Sequence, residues 1–206
     1  TEDPAIFSWQ IGNEPRAFAR DSVTKAAFQE WMCSSASLIK SLDPNHMVSS
    51  GSEGLYGCEV DMDLFEKIHS HKDFDYLNVH IWPLVWRWVT KDTFADSVCV
   101  ANRQTEKYLT AHFPVAERLG KPIVLEEFGY PRDGNRSFEG EAEKFWDGVS
   151  LSKESATTAR DEYYSYVFER LLKARQNGEP LVGVNFWGWG GFATQSAVNE
   201  FWKPGD

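Results

Sequence analysis

Two glutamates in this chain stand where carboxylate chemistry is expected. Glu14 lies in Ile11-Gly12-Asn13-Glu14-Pro15-Arg16, and Glu127 lies in Glu126-Glu127-Phe128-Gly129. Each follows a short apolar run and precedes a turn residue, the arrangement of a polar side chain at the end of a buried strand. Three further strand ends are polar or aromatic: Gly51-Ser52-Glu53-Gly54, His80-Ile81-Trp82-Pro83 and Asn185-Phe186-Trp187-Gly188-Trp189. Two carboxylates, an amide, an imidazole and indoles around one opening suit glycoside hydrolysis. One carboxyl protonates the departing glycosidic oxygen while the other attacks the anomeric carbon or activates water. Indole faces stack on the C–H edges of sugar rings. A carboxyl beside a second, anionic carboxylate keeps its proton near neutral pH, as the acid must.

The elements that must position these residues are legible as alternating short and long segments. Strands are expected at Ile6–Ile11, His46–Ser50, Phe74–Ile81, Pro122–Glu127 and Leu181–Trp187. Helices are expected at Ser22–Leu42, Asp61–Ser70, Thr93–Leu119 and Thr158–Gln176. Asp21 or Ser22 can cap the first helix, and Asp43-Pro44-Asn45 stops it; Gly120 closes the third. This order predicts an α/β fold with a parallel sheet, whose site forms at the C-terminal strand ends. Alternation predicts Asn78, His80 and Trp82 on one face, and Ile123, Leu125 and Glu127 on one face. Glu126 is then a hydrogen-bonded partner behind Glu127. The polar stretch Tyr130–Ser155 reads as a long loop.

Composition excludes several other roles. With 206 residues, 21 basic and 31 acidic side chains, the chain carries a net charge of −10. Such acidity argues against nucleic acid and anionic membrane as partners. No run of ~18 apolar residues is present to cross a membrane. Three cysteines, Cys33, Cys58 and Cys99, form neither a disulfide framework nor a metal spacing, though one disulfide plus a free thiol is open. Thirty aromatics, 15% of the chain, fit a sugar-binding surface.

Asn13-Glu14-Pro15 after a strand, with Glu127-Phe128-Gly129 at the end of a later one, resembles retaining glycoside hydrolases of clan A, family 5. Asn13-Glu14-Pro15-Arg16, Gly51-Ser52-Glu53-Gly54 and His80-Ile81-Trp82-Pro83 are similar to the endo-β-1,4-mannanases of that family, and the likeness runs from Ile6 to about Trp202. The resemblance implies Glu14 as general acid/base and Glu127 as nucleophile, with carboxyls ~5–5.5 Å apart; ~6.5–9.5 Å would mean inversion. It implies that Asn13 contacts the sugar 2-hydroxyl, that His80 tunes the carboxylates, and that Trp187 floors the cleavage site. Arg16 and Glu53 become leaving-side substrate contacts. Trp82 stands where relatives commonly carry a tyrosine bonded to the nucleophile. No metal or organic cofactor is implied. The partner implied is a polysaccharide or oligosaccharide, and the expected location is extracellular or periplasmic.

The fold implied is a (β/α)8 TIM barrel, of which about five βα units are present. Glu14 would fall on its fourth strand, so the chain is expected to be the C-terminal portion, with three units upstream and a final helix downstream. Five strands cannot close, so the resemblance implies a truncated barrel or one completed by another chain, the missing N-terminal half. A basic residue from that half would help hold the nucleophile, and the piece alone is expected to be weakly active or inactive. The same chemistry on β-1,4-glucan or xylan, a non-catalytic carbohydrate-binding fragment, and an interaction fragment are the other readings. Of the remaining features, Trp86 and Trp88 divide evenly between packing and substrate stacking. Trp9 is expected in the core, Cys33 as a buried small hydrophobe, and His69, His71 and Glu66 on a solvated surface rather than around a metal. Asp133-Gly134-Asn135 is expected to form a turn rather than a calcium site.

Overall fold

A computed structural model describes residues 2–18, 21–90, 92–131 and 156–188. The expected loop Tyr130–Ser155, the turn at Asp133–Asn135 and the tail from Trp189 lie wholly or almost wholly outside these residues. The elements run β1 (Ser8–Gln10), α1 (Ser22–Leu42), β2 (Met47–Ser49), α2 (Met62–His69) and β3 (Leu77–Ile81). After a 3-10 turn at Phe94–Asp96 come α3 (Val98–Leu119), β4 (Ile123–Phe128), α4 (Thr158–Asn177) and β5 (Leu181–Val184). Every expected strand and helix is present. All strands but β4 are shorter than expected: β3 starts at Leu77 rather than Phe74, and β5 stops at Val184 rather than Trp187.

The helix boundaries follow from capping. Asp21 accepts a hydrogen bond from Thr24 N (2.8 Å) and starts α1; Asp61 accepts from Leu64 N (3.1 Å) and starts α2. Gly120 adopts a left-handed φ of 63° where α3 ends. The strands β1 and β2 pair in parallel, with Ser8 opposite Met47 and Gln10 opposite Ser49. A second sheet has the order β3-β4-β5, and β4 and β5 run parallel with Ile123 opposite Leu181.

The chain forms two compact units. The first comprises Thr1–His80, Leu109–Glu126 and Ala174–Val184. Its core joins Met32 and Ala36 of α1 to Phe65 and Ile68 of α2, Leu77 and Val79 of β3, and Ile123 and Leu125 of β4, all fully buried. At roughly 25 cal/mol per Å² of apolar surface removed from water, such side chains dominate the unit's stability. Between β2 and β3 the backbone ladder is replaced in part by side chains. Asp75 N donates to Val48 O (2.9 Å), while Val48 N donates to Asp75 Oδ2 (2.7 Å).

The second unit comprises Ile81–Tyr108, Glu127–Lys173 and Asn185–Asp206. Its described core is aromatic. Tyr163 of α4 stacks on Tyr130 at 4.9 Å, and Phe128 meets Tyr164 edge-on at 5.1 Å. Buried phenols need partners. Tyr163 Oη lies 2.9 Å from Thr105 Oγ1, and Tyr130 donates to Phe94 O (2.7 Å).

Three expectations about the core are corrected here. Trp9 is partly exposed, and its indole N–H donates to Asp43 Oδ2 (2.9 Å), because that buried carboxylate at the end of α1 requires donors. His69 is fully buried rather than solvated, between Phe65 and Phe74. Cys33 is only partly buried, Cys58 is buried and Cys99 exposed; all three are free. No described helix is long and apolar enough to cross a membrane.

Candidate active site

In the first unit the segment after β1 carries Asn13, Glu14 and Arg16. Glu14 has a left-handed backbone, φ 49°, which costs a non-glycine residue about 1–2 kcal/mol. Its N–H is bound by Gly51 O at 3.0 Å. Gly51 itself has φ 73°, and a Cβ there would fall 1.8 Å from Gly12 O, so only glycine lets the two segments meet. The Glu14 carboxylate is part-buried. Its Oε1 lies 3.0 Å from Nδ1 of the buried His80, and its Oε2 lies 4.0 Å from Arg16 Nη2.

Arg16 is held by Glu53 through one guanidinium edge, Nη2 to Oε1 at 2.6 Å and Nε to Oε2 at 2.5 Å. Glu53 is 1% exposed, and burial pushes its pKa up while the Arg16 hydrogen bond opposes the rise. The fork is planar and rigid, so it fixes the Arg16 head beside Glu14. Asn13 is exposed in the same turn. The structure therefore brings together Glu14, Arg16, Glu53 and His80 as expected from the strand ends, with Asn13 adjacent.

Beneath them runs a polar layer, of which the sequence pattern indicated Asn78 and Glu126 but not Tyr76. Asn78, two residues before His80, accepts from Ser50 N (3.0 Å), Ser50 Oγ (2.8 Å) and Gly51 N (3.1 Å). Tyr76, two residues earlier again, donates to Glu126 Oε1 (2.9 Å), and Gln10 Nε2 donates to Glu126 Oε2. Burial raises the Glu126 pKa against the pull of Tyr76. Glu126 is thus a hydrogen-bonded, part-buried partner, as expected. The period of two that placed Asn78 with His80 runs back to Tyr76, and was the signal that could have found it.

The second unit supplies Trp82, Glu127 and Trp187. Glu127 is part-buried at the end of β4, next to the fully buried Phe128. Trp82 and Trp187 meet edge to face, 5.6 Å between centroids. The backbone N–H of Trp187 donates to Phe128 O (2.9 Å), which ties the segment after β5 to β4. A Cβ on Gly129 would fall 2.5 Å from the Trp82 ring, so a glycine is needed for Trp82 to lie there. Trp86 and Trp88 contact each other (5.1 Å) and Tyr108 (5.0 and 5.9 Å), which is a packing arrangement. The histidine pair is not gathered around Glu66: Glu66 is bound by Arg118, whereas His69 Nε2 lies 2.9 Å from Ser50 Oγ.

The family model for GH family 5 β-mannosidase-like proteins matches residues 1–206. Mannan endo-1,4-beta-mannosidase 4 of Oryza sativa subsp. japonica is 29% identical over 200 residues, which is 90% of this chain and 38% of the relative. A glycoside hydrolase family 5 mannosidase from Rhizomucor miehei superposes with a TM-score of 0.72 at 33% identity, over 91% of this chain and 40% of that one. A mutant of that mannosidase, solved in complex with mannosyl-fructose, gives 0.71 at 31% identity. The chain thus spans about two fifths of the length of the relatives it matches. The α/β fold of the (β/α)8 barrel class, with about five βα units, is the one that these neighbours share with it. The chain belongs to glycoside hydrolase family 5, in its β-mannosidase-like group.

Proposed function

We propose that this protein hydrolyses β-1,4-mannosidic bonds within mannan-type polysaccharides, with retention, by double displacement. The observation that carries the reading is the setting of Glu14. Its backbone is held in a strained turn by Gly51, and its carboxylate by His80 and the Arg16–Glu53 fork. Strain of this kind is kept where a side chain must be aimed. Glu14 donates its proton to the departing glycosidic oxygen while Glu127 attacks the anomeric carbon. Glu14 then takes a proton from the water that frees the sugar from Glu127. Asn13 holds the 2-hydroxyl, Trp187 floors the cleaved sugar with Trp82 against it, and Arg16 with Glu53 binds the leaving side. A polymer substrate places the enzyme outside the cell or in the periplasm.

The test uses the full-length natural protein on mannan, cellulose and xylan side by side. Mannan is expected to be the preferred substrate, and proton NMR is expected to show the β-anomer first. Glu14→Gln and Glu127→Gln are each expected to lower turnover about 10²–10⁴-fold. Near-normal rates in either variant would refute the assignment, and first formation of the α-anomer would refute retention. Preference for cellulose or xylan would move the activity to another β-glycan.

A further inference from the structure

Asn78 is fully buried on β3, and its position in the polar layer gives it a task beyond packing. Two of the three groups that donate to its Oδ1 are backbone amides, which can only donate. The oxygen must therefore face the turn at Ser50–Gly51. Ser50 Oγ has a single hydrogen and two neighbours to accept it, Asn78 Oδ1 and His69 Nε2. His69 Nδ1 lies 2.8 Å from Phe65 O, a carbonyl that only accepts, so in the neutral ring Nε2 is the acceptor. The two amides are thus the constant part of the attachment.

The turn that Asn78 grips is the one whose Gly51 carbonyl receives the Glu14 N–H. His80, next on the same face of β3, reaches the Glu14 carboxylate. Two side chains of one strand therefore hold Glu14 at both ends, Asn78 through the backbone and His80 at the carboxyl. We infer that Asn78 is a positioning residue for Glu14: it fixes the Ser50–Gly51 turn and with it the left-handed backbone from which Glu14 delivers its proton. In that step the Glu14 O–H bond breaks, its proton goes to the glycosidic oxygen, and the electron pair of the cleaved C–O bond stays on that oxygen. The inference rests on the acid/base role proposed for Glu14.

The experiment exploits leaving-group chemistry in the full-length natural protein. A β-mannoside carrying 2,4-dinitrophenolate departs without protonation, whereas mannan requires it. Asn78→Leu removes the acceptor at similar volume, and Asn78→Ala is the second variant should the first not fold. Misplacing a catalytic group by about 1 Å costs on the order of 100-fold. Either variant is therefore expected to lower kcat/KM on mannan about 10- to 100-fold while changing kcat/KM on the dinitrophenyl substrate less than about threefold. Azide, an anion that attacks the glycosyl-enzyme without a base, is expected to restore turnover of the dinitrophenyl substrate. Asn78→Asp, which keeps the acceptor, is expected to retain most of the mannan activity. Equal losses on both substrates, or no loss on mannan, would overturn the inference. A Glu14→Ala variant with no such leaving-group contrast would instead overturn the acid/base role of Glu14.

Discussion

His69 shows how a residue far from any substrate can govern stability. It is fully buried, its Nδ1 bound to Phe65 O, and burial pushes its pKa down to about 4. The nearby Lys121 and His112 act in the same direction. In the unfolded chain the imidazole takes up a proton near pH 6.5, which the native ring refuses until about pH 4. The unfolded state thus binds more protons in that window, and stability falls as the pH drops through it, by up to about 3 kcal/mol. Burial raises the Glu53 and Glu126 pKa values, so those carboxyls act in the opposite sense. A comparison of variants isolates the histidine: urea unfolding of His69→Gln is expected to depend less on pH between 7 and 4.5 than that of the parent. Parallel pH dependences would show that His69 carries no such penalty. Cys58 is a second buried group, its thiol pushed up to about 12 by burial. A disulfide reagent at pH 8 is expected to label the exposed Cys99 at once and to reach Cys58 only after urea is added.

Short helix α2 carries His69, and its stability depends on one cap. Asp61 accepts from Leu64 N and pairs with Lys25 Nζ at 2.6 Å. Asp61→Ala is expected to cost about 1 kcal/mol, seen as a lower urea midpoint, and Asp61→Asn to recover most of it, since asparagine also caps. Equal midpoints for the alanine variant and the parent would dismiss the cap. Such caps are local, which is why Asp21, Asp43 and Gly120 could be read from the chain as helix limits, and why all five strands and four helices could be placed. What local pattern did not carry were partners distant in sequence. His69 looked like a polar helix end because Ser50, 19 residues earlier, is invisible from there. Trp9 looked like core because its tie to Asp43 spans 34 residues. Strand β5 stops at Val184, and Trp187 beyond it spends its N–H on Phe128 O of another strand. At the site, residue type and strand-end position pointed to Glu14, Arg16, Glu53 and His80. Alternation also pointed to Asn78 and Glu126, whereas the hydrogen bonds that join them to the Ser50–Gly51 turn and to Tyr76 became visible only when the strands were side by side.

At the scale of the whole chain, charge and apolar exposure are set against each other. The net charge is −10 and the isoelectric point about 5.0, so molecules repel one another at neutral pH. Helix α1 nevertheless exposes Trp31, Leu38 and Leu42 on one flank, 48%, 60% and 71% accessible, at helical spacings of seven and four. Apolar rows of this kind associate when nothing opposes contact. Two manipulations remove the opposition: bringing the pH to 5 abolishes the net charge, and about 0.1 M salt shortens its reach to roughly 10 Å. Light scattering of the 206-residue chain is therefore expected to rise steeply as the pH falls from 7.5 to 5, and modestly with salt at pH 7.5. A Leu38→Gln, Leu42→Gln double variant has the same charge at every pH, so any difference from the parent reports the apolar row alone. That variant is expected to remain dispersed closer to pH 5 than the parent does. If both scatter identically along the titration, loss of charge is sufficient by itself, and the flank of α1 is not where the molecules meet.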